Sequence, residues 1–169
     1  MDTSHRHRCL GRIARFGLAA CLALLVVVSI SKSTPKAYAA CTLQNPIVSP
    51  GQDPSIWYAN GLYYLVQSTG GSIELRAAAN LGGLKNSRIY PIWTPPAGTS
   101  YSAEIWAPEL EYLNGRWIIY FAAARDMGGD PATNNTHRIY AITANNNNPL
   151  GSWSFFGEVE DPTNEWAID

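Results

Sequence analysis

Ile56-Trp57-Tyr58-Ala59-Asn60-Gly61-Leu62-Tyr63-Tyr64-Leu65-Val66 is the stretch that decides the fold. Two short runs rich in aromatic and aliphatic side chains flank Ala59-Asn60-Gly61, and such side chains favour extended backbone because they pack well on a pleated surface. Asn-Gly supplies the two positive φ angles of a type I′ turn, so the segment predicts a β-hairpin. The design returns as Leu110-Glu111-Tyr112, Leu113-Asn114-Gly115 and Trp117-Ile118-Ile119-Tyr120-Phe121. Pro54 and Pro108, Asn60 and Asn114, and Gly61 and Gly115 each stand 54 positions apart, so one register aligns three separate features.

A repeat of about fifty residues made of strands and hairpins predicts propeller blades, each a four-stranded sheet that buries its faces against its neighbours. Ile139-Tyr140-Ala141-Ile142-Thr143, a polar turn over residues 144–149 and Trp153-Ser154-Phe155-Phe156 supply further strands of the second blade, and Ala167-Ile168-Asp169 opens a third. No segment predicts a helix. The fold class is therefore all-β, with a small β-sandwich as the other architecture these strands allow. Two blades and a stub leave sheet faces without neighbours, so exposed apolar faces are expected.

The beginning of the chain reads differently. Arg6, Arg8, Arg12 and Arg15 precede the apolar run from Phe16 to Ile30, and Ala37-Tyr38-Ala39 follows as a small-x-small cleavage site. That order predicts a secretory signal peptide over residues 1–40, ahead of a domain over residues 41–169. The apolar run is shorter than the roughly twenty residues a membrane span needs. No membrane association is expected after cleavage, and the expected location is extracellular or periplasmic. From Cys41 onward the basic residues are Arg76, Lys85, Arg88, Arg116, Arg125 and Arg138, against twelve acids, a net charge of −6. An acidic excess with no basic stripe argues against a nucleic-acid partner, whose phosphates need clustered Lys and Arg. Cys41 is the single cysteine after the leader, so no intrachain disulfide is expected.

Hydrolysis of a glycosidic bond needs one carboxyl to protonate the leaving oxygen and another to activate water or attack the sugar. Asp53 is a candidate because Asp53-Pro54 opens the innermost strand of the first blade, where the proline stiffens the turn that aims the carboxylate; an ordinary turn aspartate is the competing reading. Asp169 opens the third unit after Trp166-Ala167-Ile168. Trp106 and Trp57 are candidate sugar platforms, although tryptophan on a blade strand also serves as core. Glu104 could bind sugar hydroxyls or sit in a solvated loop. His137, alone, makes no metal site. Residues 126–131 lack the alternating oxygen ligands of a calcium loop and read as an inter-strand loop. Asn134-Asn135-Thr136 fits the glycosylation acceptor pattern.

Gln52-Asp53-Pro54-Ser55, Trp106-Ala107-Pro108-Glu109-Leu110 and Trp166-Ala167-Ile168-Asp169 together resemble the successive blade openings of glycoside hydrolase family 43, five-bladed β-propellers that cleave arabinose and xylose polymers. The resemblance covers nearly all of residues 41–169, of which about two blades and the start of a third would be present. It implies that Asp53 is the general base, that Asp169 is the second aspartate, which tunes the acid and orients the substrate, and that the anomeric centre is inverted. It implies as general acid a glutamate from a later blade; Glu158, Glu160 and Glu165 are not assigned to that role. No cofactor is expected in this chain, while the family implies a calcium ion on the propeller axis of a full-length protein. The implied partner is an arabinose- or xylose-containing polysaccharide. Arg88-Ile89-Tyr90-Pro91-Ile92-Trp93 and residues 100–106 favour an α-L-arabinofuranosidase, with endo-arabinanase, β-xylosidase or a non-catalytic carbohydrate-binding propeller as alternatives. Without the acid, the chain as it stands is expected to be inactive and poorly soluble.

Overall fold

The computed structural model describes residues 43–160 and 162–168. The proposed leader, Cys41 and Asp169 lie outside them. Eight strands form two four-stranded antiparallel sheets. The first holds β1 (Gln52–Ala59), β2 (Leu62–Ser68), β3 (Ile73–Ala78) and β4 (Tyr90–Trp93); the second holds β5 (Ala103–Leu113), β6 (Arg116–Ala124), β7 (Arg138–Ala144) and β8 (Trp153–Glu158). In each sheet every strand pairs with the next in sequence. Such a meander lacks the Greek-key connections of most β-sandwiches and is the connectivity of a propeller blade. Among the described residues the only helical pieces are short 3₁₀ turns at Leu81–Asn86 and Asn134–Thr136.

Both predicted hairpins form around two-residue loops. Asn60 and Gly61 have φ of 51° and 78°, and Asn114 and Gly115 have 50° and 81°, as a type I′ turn requires. Ala59 and Leu113, read from the sequence as turn residues, end their strands and pair with Leu62 and Arg116. The sequence reading did not single out β3 or β4. Ile73-Glu74-Leu75-Arg76 alternates apolar and polar, with Ile73 and Leu75 buried, before the strand ends in two alanines, and β3 pairs along both edges.

Alternation then builds the core. Trp117, Ile119, Phe121 and Ala123 on β6 are buried in one cluster with Tyr64 and Val66 of β2 and Ile73 and Leu75 of β3. Period two puts these β6 residues on one face, and that face meets the first sheet. Aromatic rings close the seam. Trp117 lies 5.5 Å from Tyr64 and 6.3 Å, nearly perpendicular, from Trp57, while Trp93 lies 5.0 Å from Phe121. At one end the sheets join through the main chain, where Ile105 N–H donates to the Gly70 carbonyl at 2.9 Å and the Ser68 hydroxyl donates to the Ile105 carbonyl. Outward faces stay apolar, as expected, with Tyr58 59% and Phe156 64% exposed.

Candidate active site

Both sheets open on the same backbone device. Asp53 and Ala107 stand 54 positions apart, each directly before a proline, and hold left-handed φ of 43° and 42°. Each lies where strand pairing loses register, between Gln52 and Ser55 in β1 and between Trp106 and Glu109 in β5. Bulges of this kind bend a strand and re-aim its side chains, often beside active sites. The left-handed region costs an L residue about 1–2 kcal/mol, because Cβ crowds the following carbonyl, and Asp bears it better than Ala through local hydrogen bonding. The bulge thus belongs to the blade opening itself, and the carboxylate is what the first blade adds.

The two openings face one cleft of about 420 Å³, lined by residues 53–55, residues 106–109 and Ile168. Asp53 and Glu109 put two exposed carboxyl groups there, and among the described residues no basic side chain lines it. Asp53 and Trp106, both predicted for the site, are therefore brought together. Asp169 follows Ile168 but lies outside the described residues.

The other two predicted sugar-binding residues do not line the cleft. Trp57 packs edge-on against Trp117 at the seam between the sheets. Glu104, at φ 49°, turns toward the interior. Its Oε2 is buried without a hydrogen-bond partner and lies 3.7 Å from His137 Nε2. His137 is completely buried, with Nδ1 2.8 Å from the Asn134 carbonyl oxygen and Nε2 3.2 Å from that of Glu104. Its ring stacks on Trp106 with centroids 4.1 Å apart and planes 25° from parallel.

The same region holds the third opening. Arg138 donates from Nε to Asn164 Oδ1 at 2.8 Å and from Nη2 to the Asn164 carbonyl at 2.6 Å. Trp166 Nε1 donates to the Asn134 carbonyl at 2.9 Å, and Ala167 N–H donates to that of His137 at 3.3 Å. Asn164, at φ 50°, follows Glu104 by 60 positions, the interval that also separates Trp166 from Trp106. The third opening thus begins as a copy of the second.

Glu109 lines the cleft without having been singled out in sequence, and His137, weighed there only as a metal ligand and set aside, packs behind Trp106. Glu109 was visible in Trp-Ala-Pro-Glu; His137 had no local signal, because what matters is a contact with a residue 31 positions away. Residues 126–131 close on themselves, with Gly128 N–H donating to Asp126 Oδ1 at 2.9 Å and the Thr133 hydroxyl to the Gly129 carbonyl at 3.2 Å. Among the described residues no three His, Cys, Asp or Glu side chains converge as metal ligands. They do not fit the calcium ion the family implies, and no step below uses one. Nor, among these residues, is any helix long and apolar enough to cross a membrane.

Known proteins resemble this chain. The chain is 33% identical over 154 residues to an extracellular exo-α-(1→5)-L-arabinofuranosidase of Streptomyces avermitilis, a match covering 89% of this chain and 31% of that protein. A namesake from Streptomyces chartreusis is 31% identical, over 94% of this chain and 47% of its own length. The crystal structure of an α-L-arabinofuranosidase from Lactobacillus brevis superposes with a TM-score of 0.67 at 37% identity, covering 74% of this chain and 41% of that one. The chain therefore spans between about a third and a half of these relatives, and its two sheets are blades of a five-bladed β-propeller. With the glycosyl hydrolases family 43 model matching residues 43–169, the blade openings, the cleft and the relatives agree: this chain belongs to glycosyl hydrolases family 43.

Proposed function

We propose that the protein is a secreted, inverting α-L-arabinofuranosidase acting on arabinose-bearing plant polysaccharide such as arabinan or arabinoxylan, with Asp53 as its general base. The observation that carries this reading is the position of Asp53: a carboxylate on a left-handed bulge, in a cleft it shares with the Trp106 ring. The relatives, extracellular arabinofuranosidases, suggest the sugar, and the leader read in residues 1–40 supplies the export route.

In this mechanism the Asp53 carboxylate takes a proton from a water whose oxygen attacks the anomeric carbon from the face opposite the leaving group. The leaving oxygen gains its proton from a glutamic acid of a later blade, about 6.5–9.5 Å from the base so that the water fits between them. Asp169, one position beyond the cleft-lining Ile168, acts on that acid through its charge, which raises a neighbouring carboxyl's proton affinity. Trp106 offers an aromatic face to the apolar face of the sugar.

The test uses the protein expressed from its complete reading frame and an aryl α-L-arabinofuranoside. Proton NMR of the first product should show the β anomer. Asp53→Asn keeps a residue that tolerates left-handed backbone while removing the base, so kcat should fall about 10²–10⁴-fold. Initial release of the α anomer, or an Asp53→Asn protein within tenfold of the parent, refutes the assignment. Binding of arabinotriose without hydrolysis by the parent protein identifies a carbohydrate-binding propeller instead.

A further inference from the structure

Trp106 and Glu104 lie two positions apart on β5, and neither is fixed by β5 alone. Register is lost on both sides of Trp106, at Ala103/Trp106 and Trp106/Glu109, and the adjoining residues Glu104 and Ala107 both adopt left-handed φ. A strand interrupted twice in the seven residues Ala103–Glu109 has few ladder bonds there, and Ile105 is tied instead to Gly70 and Ser68. The residue that touches both Glu104 and Trp106 is His137.

We propose that His137 is a positioning residue of the cleft, holding the Trp106 ring in its sugar-facing orientation and the Glu104 segment in its left-handed turn. Three contacts converge on this completely buried side chain: a stack on Trp106, the Glu104 main chain and carboxylate, and the Asn134 carbonyl. A carbonyl oxygen only accepts, so a ring nitrogen bonds to one by bringing a hydrogen, and the tautomer decides which nitrogen brings it. The buried Glu104 Oε2, which has no hydrogen-bond partner, lies 3.7 Å from Nε2. The stack covers one face of the indole, and Trp106 is half-buried and lines the cleft. The Asn134 carbonyl that receives His137 Nδ1 also receives Trp166 Nε1, so the anchor of the platform is shared with the opening that follows.

Two substitutions separate the ring from its hydrogen bonds. His137→Phe keeps an aromatic face beneath Trp106 and loses both ring nitrogens, whereas His137→Gln keeps a hydrogen-bonding group and loses the face. This inference rests on the arabinofuranosidase reading for its kinetic readout, so a second readout free of any sugar is used. In protein labelled with ¹⁵N-tryptophan, the Trp106 Nε1–H resonance should shift in His137→Gln and stay nearer its parent position in His137→Phe. With an aryl arabinofuranoside, KM per folded molecule should rise about threefold to tenfold in His137→Gln, the worth of an aromatic stacking contact, and less in His137→Phe, while kcat stays within about twofold. A Trp106 resonance unmoved in both variants overturns the inference whether or not the protein hydrolyses the substrate. So does a lowered melting temperature with KM unchanged, which marks a purely structural histidine. A parent protein without activity but with the expected shifts leaves His137 in place and removes the enzymatic reading instead.

Discussion

Replacing Ala107 by glycine should reverse the usual sign of such a change. Within a strand, Ala→Gly normally costs about 0.5–1 kcal/mol, because glycine gives the unfolded chain more freedom to lose. Ala107, however, sits at φ 42°, where its Cβ crowds the following carbonyl at a cost of about 1–2 kcal/mol. Ala77 on β3 is the matched control, since it is equally half-buried and is not in the left-handed region. The gained freedom is the same in both variants, so the difference between them, less the core contact of the Ala77 methyl, reports the left-handed term. Ala77→Gly should lose about 1 kcal/mol, while Ala107→Gly should match or exceed the parent, a separation of about 1–2 kcal/mol. Urea unfolding followed by tryptophan fluorescence reads both, and slopes shared with the parent show that the midpoints report stability alone. Equal losses in the two variants would show that Ala107 carries no left-handed strain and that the likeness of the two blade openings does not extend to energy.

Two further outcomes follow from the core. Trp117 is 2% exposed and touches Trp57, Tyr64 and Tyr112, so Trp117→Ala should cost about 3–5 kcal/mol in urea unfolding; a loss below about 1 kcal/mol would mean that the sheets do not meet as described. Burial pushes the Tyr64 and Tyr140 phenols above their ordinary value of 10.0. The fold thus favours the neutral phenol, a contribution complete below about pH 10 and lost as pH rises through the raised values. Stability measured from about pH 9 to about pH 12 should decline, and less steeply in Tyr140→Phe; a flat profile in the parent contradicts this.

What could be read from the sequence was what depends on near neighbours. Asn60-Gly61 and Asn114-Gly115 specify their turns through φ alone, and the interval of 54 between them exposed the repeat before any packing was known. Asp53 was legible as a cleft acid because Asp-Pro at a blade opening is itself a local pattern. Strands β3 and β4 gave weaker signals, since the alternation of Ile73-Glu74-Leu75-Arg76 is only four residues long before two alanines, and β4 is four residues with a proline inside. Trp106 was favoured over Trp57 in sequence by its place at a blade opening, while Glu104 was undecided. The fold settles where they sit, turning Glu104 toward His137 and packing Trp57 against Trp117. That placement is a property of long-range contacts, and no window of residues contains it.

The opening that follows the second blade is moored largely to carbonyl groups: Trp166 to that of Asn134, and Ala167 to that of His137. Every residue type carries a carbonyl. The mooring points therefore impose no identity on position 134, which can drift over generations while the geometry it supports is inherited intact. The positions that donate are bound more tightly, since only an indole at 166 and a guanidinium at 138 reach as these do. Lineages of this protein should accordingly show turnover at position 134 and constancy at positions 138 and 166, an asymmetry that distinguishes inheritance of a shape from inheritance of a motif.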